Sequence, residues 1–224
     1  MAQRITYTTD DGVIIAGEWT VAPTMIGAAV LIHMMPATRS SWTLLEGALS
    51  KRGIGSLAID LRGHGESVET NDGTKIDYRK FSDDEHQSSV FDVAGAVEWI
   101  RKRGIDVSRI VLIGASVGAN LAVRELASEP RLRGAVLLSP GEAYNGMNVR
   151  EDAQNLLPDQ GVFITSSEDD MESYAASRAL YDEAPVTLKT FVPYKKSGHG
   201  TNMFSTDPAL TEKIAEWLLE AIRG

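Results

Sequence analysis

A chain of 224 residues, 43% hydrophobic and 24% charged, carries enough apolar surface for one sizeable core, which excludes disordered and fibrous classes. It has no cysteine, so disulfides, thiolate-bound metals and a cysteine nucleophile are excluded. Asp and Glu number 31 against 22 Lys and Arg, and a formal charge of -9 argues against a nucleic-acid partner, which needs clustered cations.

The N-terminus, Met1-Ala2-Gln3-Arg4-Ile5-Thr6, turns polar at once and holds no signal-peptide core. No apolar run reaches about 18 residues, so no membrane-spanning helix is expected. The default expectation is a cytoplasmic chain with one domain over 1–224. Residues 4–9 and 13–19 part-alternate around Asp10-Asp11-Gly12, which predicts an antiparallel hairpin. Short continuous apolar runs follow at 28–32, 56–59, 110–113, 135–138, 162–164 and 186–192. Strands covered on both faces of a parallel sheet read this way. Helical periodicity fills the gaps at 41–52, 83–102, 117–128, 172–183 and 208–222. In 83–102 the apolar face is Val90, Val93, Val97 and Ile100, with Asp83 or Asp84 as cap. Strand alternating with helix predicts an α/β doubly wound sheet of about eight strands, with function at the carboxyl ends of the strands.

Three of those ends carry chemistry. The run 110–113 enters Gly114-Ala115-Ser116-Val117-Gly118 and then a helix. The five-letter G-x-S-x-G pattern is weak alone; its place between a buried strand and a helix makes it specific. Such a turn lifts the Ser116 hydroxyl clear of the sheet at a helix N-terminus, and glycines flank it because side chains would collide there. A serine needs a base. His199 sits in Ser197-Gly198-His199-Gly200-Thr201, between the last apolar run and the last helix. The base needs an acid to orient its ring. The run 162–164 leads into Ser166-Ser167-Glu168-Asp169-Asp170, where either aspartate can serve.

These residues resemble the α/β-hydrolase fold family over essentially the whole chain. The order Ser116, Asp170, His199 is the family's Ser…Asp…His order. The family's acid loop reads Gly-x-x-Asp; Ser167-Glu168-Asp169-Asp170 fits with serine for glycine and implies Asp170, with Asp169 next. Ile32-His33-Met34-Met35-Pro36 stands where many members carry His-Gly-x-Pro. The resemblance implies an oxyanion hole from the Met35 and Val117 N–H groups, with Met34 in the usual glycine position leaving Met34 N–H as the alternative to Met35. Asp60-Leu61-Arg62-Gly63-His64-Gly65-Glu66-Ser67 resembles the family's D-x-R-G-x-G-x-S loop, in which Arg62 and His64 order loops. His33 reads as buried and His86 as exposed.

The expected chemistry is acyl transfer on a small-molecule ester through an acyl-enzyme on Ser116, with no metal and no organic cofactor. A peptidase, thioesterase or acyltransferase shares that intermediate; a non-catalytic binding protein of the same fold is the remaining alternative. A serine nucleophile sets the chain apart from dehalogenases and epoxide hydrolases, which use aspartate, and from dienelactone hydrolases, which use cysteine. Only about 22 polar, turn-rich residues separate Ser139 from the next strand, with a short helix expected at 149–157. That is too few for a lipase-type lid and implies an open site for short-acyl esters. Met34, Met35, Trp42, Tyr144 and Met203 are candidates to line it.

Overall fold

The computed structural model describes residues 2–223; Met1, the first residue of the polar N-terminal stretch, and Gly224 lie outside them. The expected hairpin opens the chain. β1 (Ala2–Thr8) and β2 (Val13–Thr20) pair antiparallel about a turn in which Gly12 takes φ +90°, a region that disfavours L side chains. β3 (Gly27–Ile32), α1 (Thr43–Lys51), β4 (Ile54–Ile59), the two-residue β5 (Glu69–Thr70), α2 (Asp83–Gln87) and α3 (Val90–Arg101) follow. Next come β6 (Ile110–Ala115), α4 (Val117–Ser128), β7 (Gly134–Leu138) and a small hairpin of β8 (Ala143–Tyr144) and β9 (Met147–Asn148). The chain continues through α5 (Val149–Gln154), β10 (Gly161–Ser167), α6 (Met171–Glu183), β11 (Leu188–Tyr194), α7 (Met203–Thr206) and α8 (Ala209–Arg223).

The main sheet runs β1-β2-β4-β3-β6-β7-β10-β11, with β5 beside β2. β2 pairs antiparallel with β1 and β4; every later pairing along the path is parallel. Because side chains alternate along a strand, one apolar run serves two cores. Val30 and Ile32 of β3 and Leu112 of β6 pack with Val93 of α3 and Leu121 of α4. Leu31 and Ile113 point the other way, to Leu45 of α1 and Leu218 of α8. Among the described residues no helix is long and apolar enough to cross a membrane.

Two expectations need correction. The segment 83–102 is two helices, and the cap is neither Asp83 nor Asp84 but Ser82. Its backbone N–H donates to Glu85 Oε2 at 2.7 Å and its Oγ accepts from the Glu85 N–H at 3.3 Å, a capping box. The break falls at Ser88-Ser89, where Ser88 Oγ donates to the Asp84 carbonyl at 2.9 Å and competes with the helix ladder. The run 186–192 is also not a doubly covered strand. β11 starts at Leu188 and is half-buried or exposed throughout, because it is the sheet edge and pairs only with β10.

Candidate active site

The strand order reverses between β3 and β6, and a crevice at such a reversal is where a doubly wound sheet can receive a ligand. Ser116 stands there, between β6 and α4. Its backbone has φ 56° and ψ -124°, a strained conformation for a residue other than glycine. Local bonds hold the strain in place: Ser116 N–H donates to the Leu138 carbonyl at 2.8 Å, and its own carbonyl accepts from Ala119 N–H at 2.8 Å. The flanking glycines are obligatory. A Cβ on Gly114 would lie 2.0 Å from the Gly118 carbonyl oxygen, and one on Gly118 would lie 2.3 Å from that of Ile32. The helix start is thus pressed directly onto the ends of β3 and β6, and α4 delivers its N-terminal N–H groups to the same place.

His199 follows β11 and Asp170 follows β10. His199 Nδ1 and Asp170 Oδ2 are 2.6 Å apart, with both side chains partly exposed. Asp169 turns the other way. Its Oδ1 accepts the Ser167 hydroxyl and, at 3.3 Å, the Gly198 N–H, while Ser167 Oγ accepts the Ser197 N–H at 2.8 Å. The Ser167 hydroxyl and these loop N–H groups hold the Asp169 carboxyl below the usual carboxylate range, although the side chain is exposed. Of the two aspartates, then, Asp170 meets the histidine ring and Asp169 meets the backbone before it. The histidine loop also reaches the nucleophile turn: a Cβ placed on Gly200 would be 3.5 Å from Ala115 Cβ. Ser116 Oγ and the His199 ring are not hydrogen-bonded among the described residues, a bond that often closes only with substrate present.

The N–H groups of Met34, Met35 and Val117 donate to no acceptor among the described residues. Met34 places its sulfur 2.5 Å from where a Gly200 Cβ would be, so its side chain braces the histidine loop. Tyr144 is half-buried, with its hydroxyl 3.5 Å from Ser173 Oγ on α6, one turn beyond Asp170. Trp42 does not line the site. It is fully buried in the α1–α8 core, 6.0 Å from the Phe204 ring, and Met203 is equally buried there. Both belong to apolar faces that the sheet must cover, a choice their residue types leave open. Clefts of about 530, 290 and 600 Å³ lie elsewhere, and none is lined by Ser116, Asp170 or His199.

The remaining polar residues order loops. His33 is fully buried; its Nδ1 bonds the Met34 carbonyl at 2.9 Å and its Nε2 accepts the Leu61 N–H at 3.0 Å. Burial lowers its pKa to about 4, so the ring is neutral and pins the segment after β3 to that after β4. His64 is buried, stacked 3.7 Å from Tyr78 and edge-on to His33. Arg62 is forked between Asp92 and Asp11, its Nε donating to Asp92 at 2.9 Å and its Nη1 to Asp11 at 2.6 Å. His86 is half-buried against Phe81 rather than exposed.

Three tethers escaped the sequence reading. Asn120 donates to the carbonyls of Gly141 at 2.9 Å and Met147 at 3.2 Å, stitching the β8–β9 hairpin to α4. Ser139 Oγ accepts the Gly200 N–H at 2.9 Å. Ser167 holds Ser197, as above. The hairpin itself had a signal, Asn145-Gly146, whose φ values of 49° and 77° suit a two-residue turn.

A model of the alpha/beta hydrolase family matches residues 29–220. No curated protein matches the chain. Among solved structures, an esterase of Pyrococcus furiosus is similar at 17% identity and a TM-score of 0.81, over 99% of this chain and 93% of that one. A dienelactone hydrolase from Anabaena variabilis is similar at 14% identity and a TM-score of 0.77, over 98% and 97%. The esterase domain of a Rhodothermus marinus protein is similar at 12% identity and a TM-score of 0.72, over 100% and 98%. At these identities the three likenesses speak for the fold alone. With residues 29–220 matched by its model, the chain belongs to the alpha/beta hydrolase family.

Proposed function

We propose that this chain is a serine carboxylesterase that hydrolyses small, short-acyl esters through an acyl-enzyme on Ser116. One observation carries the reading: a strained serine at a strand–helix turn shares one end of the sheet with a histidine already paired to an aspartate. In this reading Ser116 Oγ attacks the acyl carbonyl carbon while His199 Nε2 takes the hydroxyl proton. Asp170 holds the ring through Nδ1 and stabilises its positive charge. The carbonyl oxygen becomes an oxyanion, which the N–H groups of Val117 and Met35 stabilise by about 3–4 kcal/mol per donor. The intermediate collapses, His199 returns the proton to the departing alkoxide, and the alcohol leaves. Water then gives its proton to His199 and its oxygen to the acyl carbon; the acid departs and Ser116 regains its proton.

No step requires a metal or an organic cofactor. The short connection from Ser139 to β10, with its four strand residues and single short helix, supports an open site. Met34 and Tyr144 are its candidate walls. The chain is proposed to act as one domain, in the cytoplasm, without a nucleic-acid partner.

A fluorophosphonate should label the wild-type protein at Ser116, and p-nitrophenyl butyrate turnover should vanish in Ser116→Ala and His199→Ala. Labelling that survives Ser116→Ala, or turnover in either variant near the wild-type rate, rejects the assignment. A panel of matched ester, thioester and amide substrates separates the esterase from the thioesterase, acyltransferase and peptidase readings.

A further inference from the structure

Two neighbouring residues at the end of β7 each hold a different loop of the candidate site. The Leu138 carbonyl accepts the Ser116 N–H at 2.8 Å, and the next residue, Ser139, accepts the Gly200 N–H on its hydroxyl at 2.9 Å. From this juxtaposition we infer that Ser139 is a positioning residue, which sets His199 against Ser116 by clamping the loop after the histidine to the strand that holds the nucleophile. The inference rests on the esterase reading of the same site.

Four observations support it. Ser139 is fully buried, so the bond is shielded from water. Its φ of 50° is unusual for serine and turns the side chain away from the course that a continuing strand would give it. The backbone cannot relax freely, because Ser139 N–H is itself bonded to the Thr165 carbonyl of β10 at 2.8 Å. Its hydroxyl faces Met203 Sδ at 3.9 Å, a weak acceptor, so the strong partner of Ser139 is the histidine loop. On the other side of His199 the loop is held by Ser167 and Asp169 through Ser197 and Gly198. The ring is therefore tethered before and after, and only the tether after it runs to the strand that also fixes Ser116.

Removing Oγ leaves a buried N–H unpaired and frees the backbone at Gly200, a glycine at φ 56° with other conformations open to it. Base placement suffers; the walls that bind the ester do not. The test compares Ser139→Ala with Ser139→Gly. Both delete the hydroxyl, but glycine accepts positive φ and alanine does not, so the two differ in backbone strain and share only the lost bond. Both should lose kcat for p-nitrophenyl butyrate by about 10- to 100-fold, the cost of a misplaced catalytic group, with KM within about twofold. Each should weaken or shift the downfield proton signal of the His199–Asp170 bond, read by NMR on protein shown to be folded by its circular dichroism. Either variant keeping more than half the wild-type kcat, a loss in alanine alone, or a loss carried by KM overturns the inference. If the wild-type protein itself fails to turn over esters or to label at Ser116, the esterase reading falls instead. The proton signal then decides the clamp separately: unchanged in both variants, it rejects Ser139 as the residue that places His199.

Discussion

Two adjacent carboxylates, Asp169 and Asp170, differ by one position and by everything that touches them. Asp170 faces a ring nitrogen, whereas Asp169 faces a hydroxyl and a loop N–H. Neutralising them should separate the roles. Asp170→Asn leaves an amide opposite Nδ1, which permits the wrong tautomer, and should lower kcat by about 10³-fold or more with little change in stability. Asp169→Asn keeps an acceptor for the loop and loses only charge; it should cost less than about tenfold in kcat, with a small loss of stability. Steady-state kinetics and urea midpoints on both variants check this, and the opposite ranking of the two kcat losses would reassign the acid.

At the scale of the element, α4 is placed by contact distance rather than by helix propensity. Gly118 sits so close to the Ile32 and His33 carbonyl oxygens, 2.3 and 2.8 Å from a built Cβ, that any side chain would push the helix start off the sheet. These are backbone atoms and cannot swing aside. Gly118→Ala should therefore lose about 2–3 kcal/mol of stability, or fail to fold, despite alanine's better helix propensity. Gly47 in α1 makes the comparison, since a Cβ there meets nothing within 4 Å. Gly47→Ala should gain about 0.5–1 kcal/mol. Urea midpoints read both, and a stable, active Gly118→Ala would show that the turn tolerates a gap the structure does not display.

For the whole molecule, a carboxyl packed away from water without a cation beside it is expensive. Glu125, near the end of α4, is only 9% exposed and makes no ion pair among the described residues. Burial, then the nearby Glu129, raises its pKa from 4.5 to about 7. Below pH 4.5 both folded and unfolded chains hold the proton and no penalty arises. Between pH 4.5 and 7 the unfolded chain ionises first, so stability falls as pH rises. Above 7 the loss levels off at about 3 kcal/mol. Glu125→Gln removes the titration and should raise stability relative to wild type at pH 8 while leaving it nearly unchanged at pH 4.5. Denaturation curves at the two pH values test this, and an equal effect at both would remove Glu125 as the source.

The alternation of apolar runs with helical periods determined the α/β layering, because strands buried on both faces and amphipathic helices admit few other arrangements. The G-x-S-x-G turn, the histidine between glycines and the strand ending in carboxylates were legible because each occupies a position where local backbone chemistry restricts the residue. The break at Ser88-Ser89 and the capping box of Ser82 were legible in principle, and there a strong apolar stripe masked them. Three things were decided only by the tertiary structure. Which aspartate meets His199 depends on a turn between two residues of the same type. Whether Trp42 lines a site or fills a core depends on which face of the sheet α1 covers. The tethers of Ser139, Asn120 and Ser167 join residues 21 to 61 positions apart. A hydrogen bond of that span leaves no periodicity and no local propensity in the chain; it exists only once the strands have set their order.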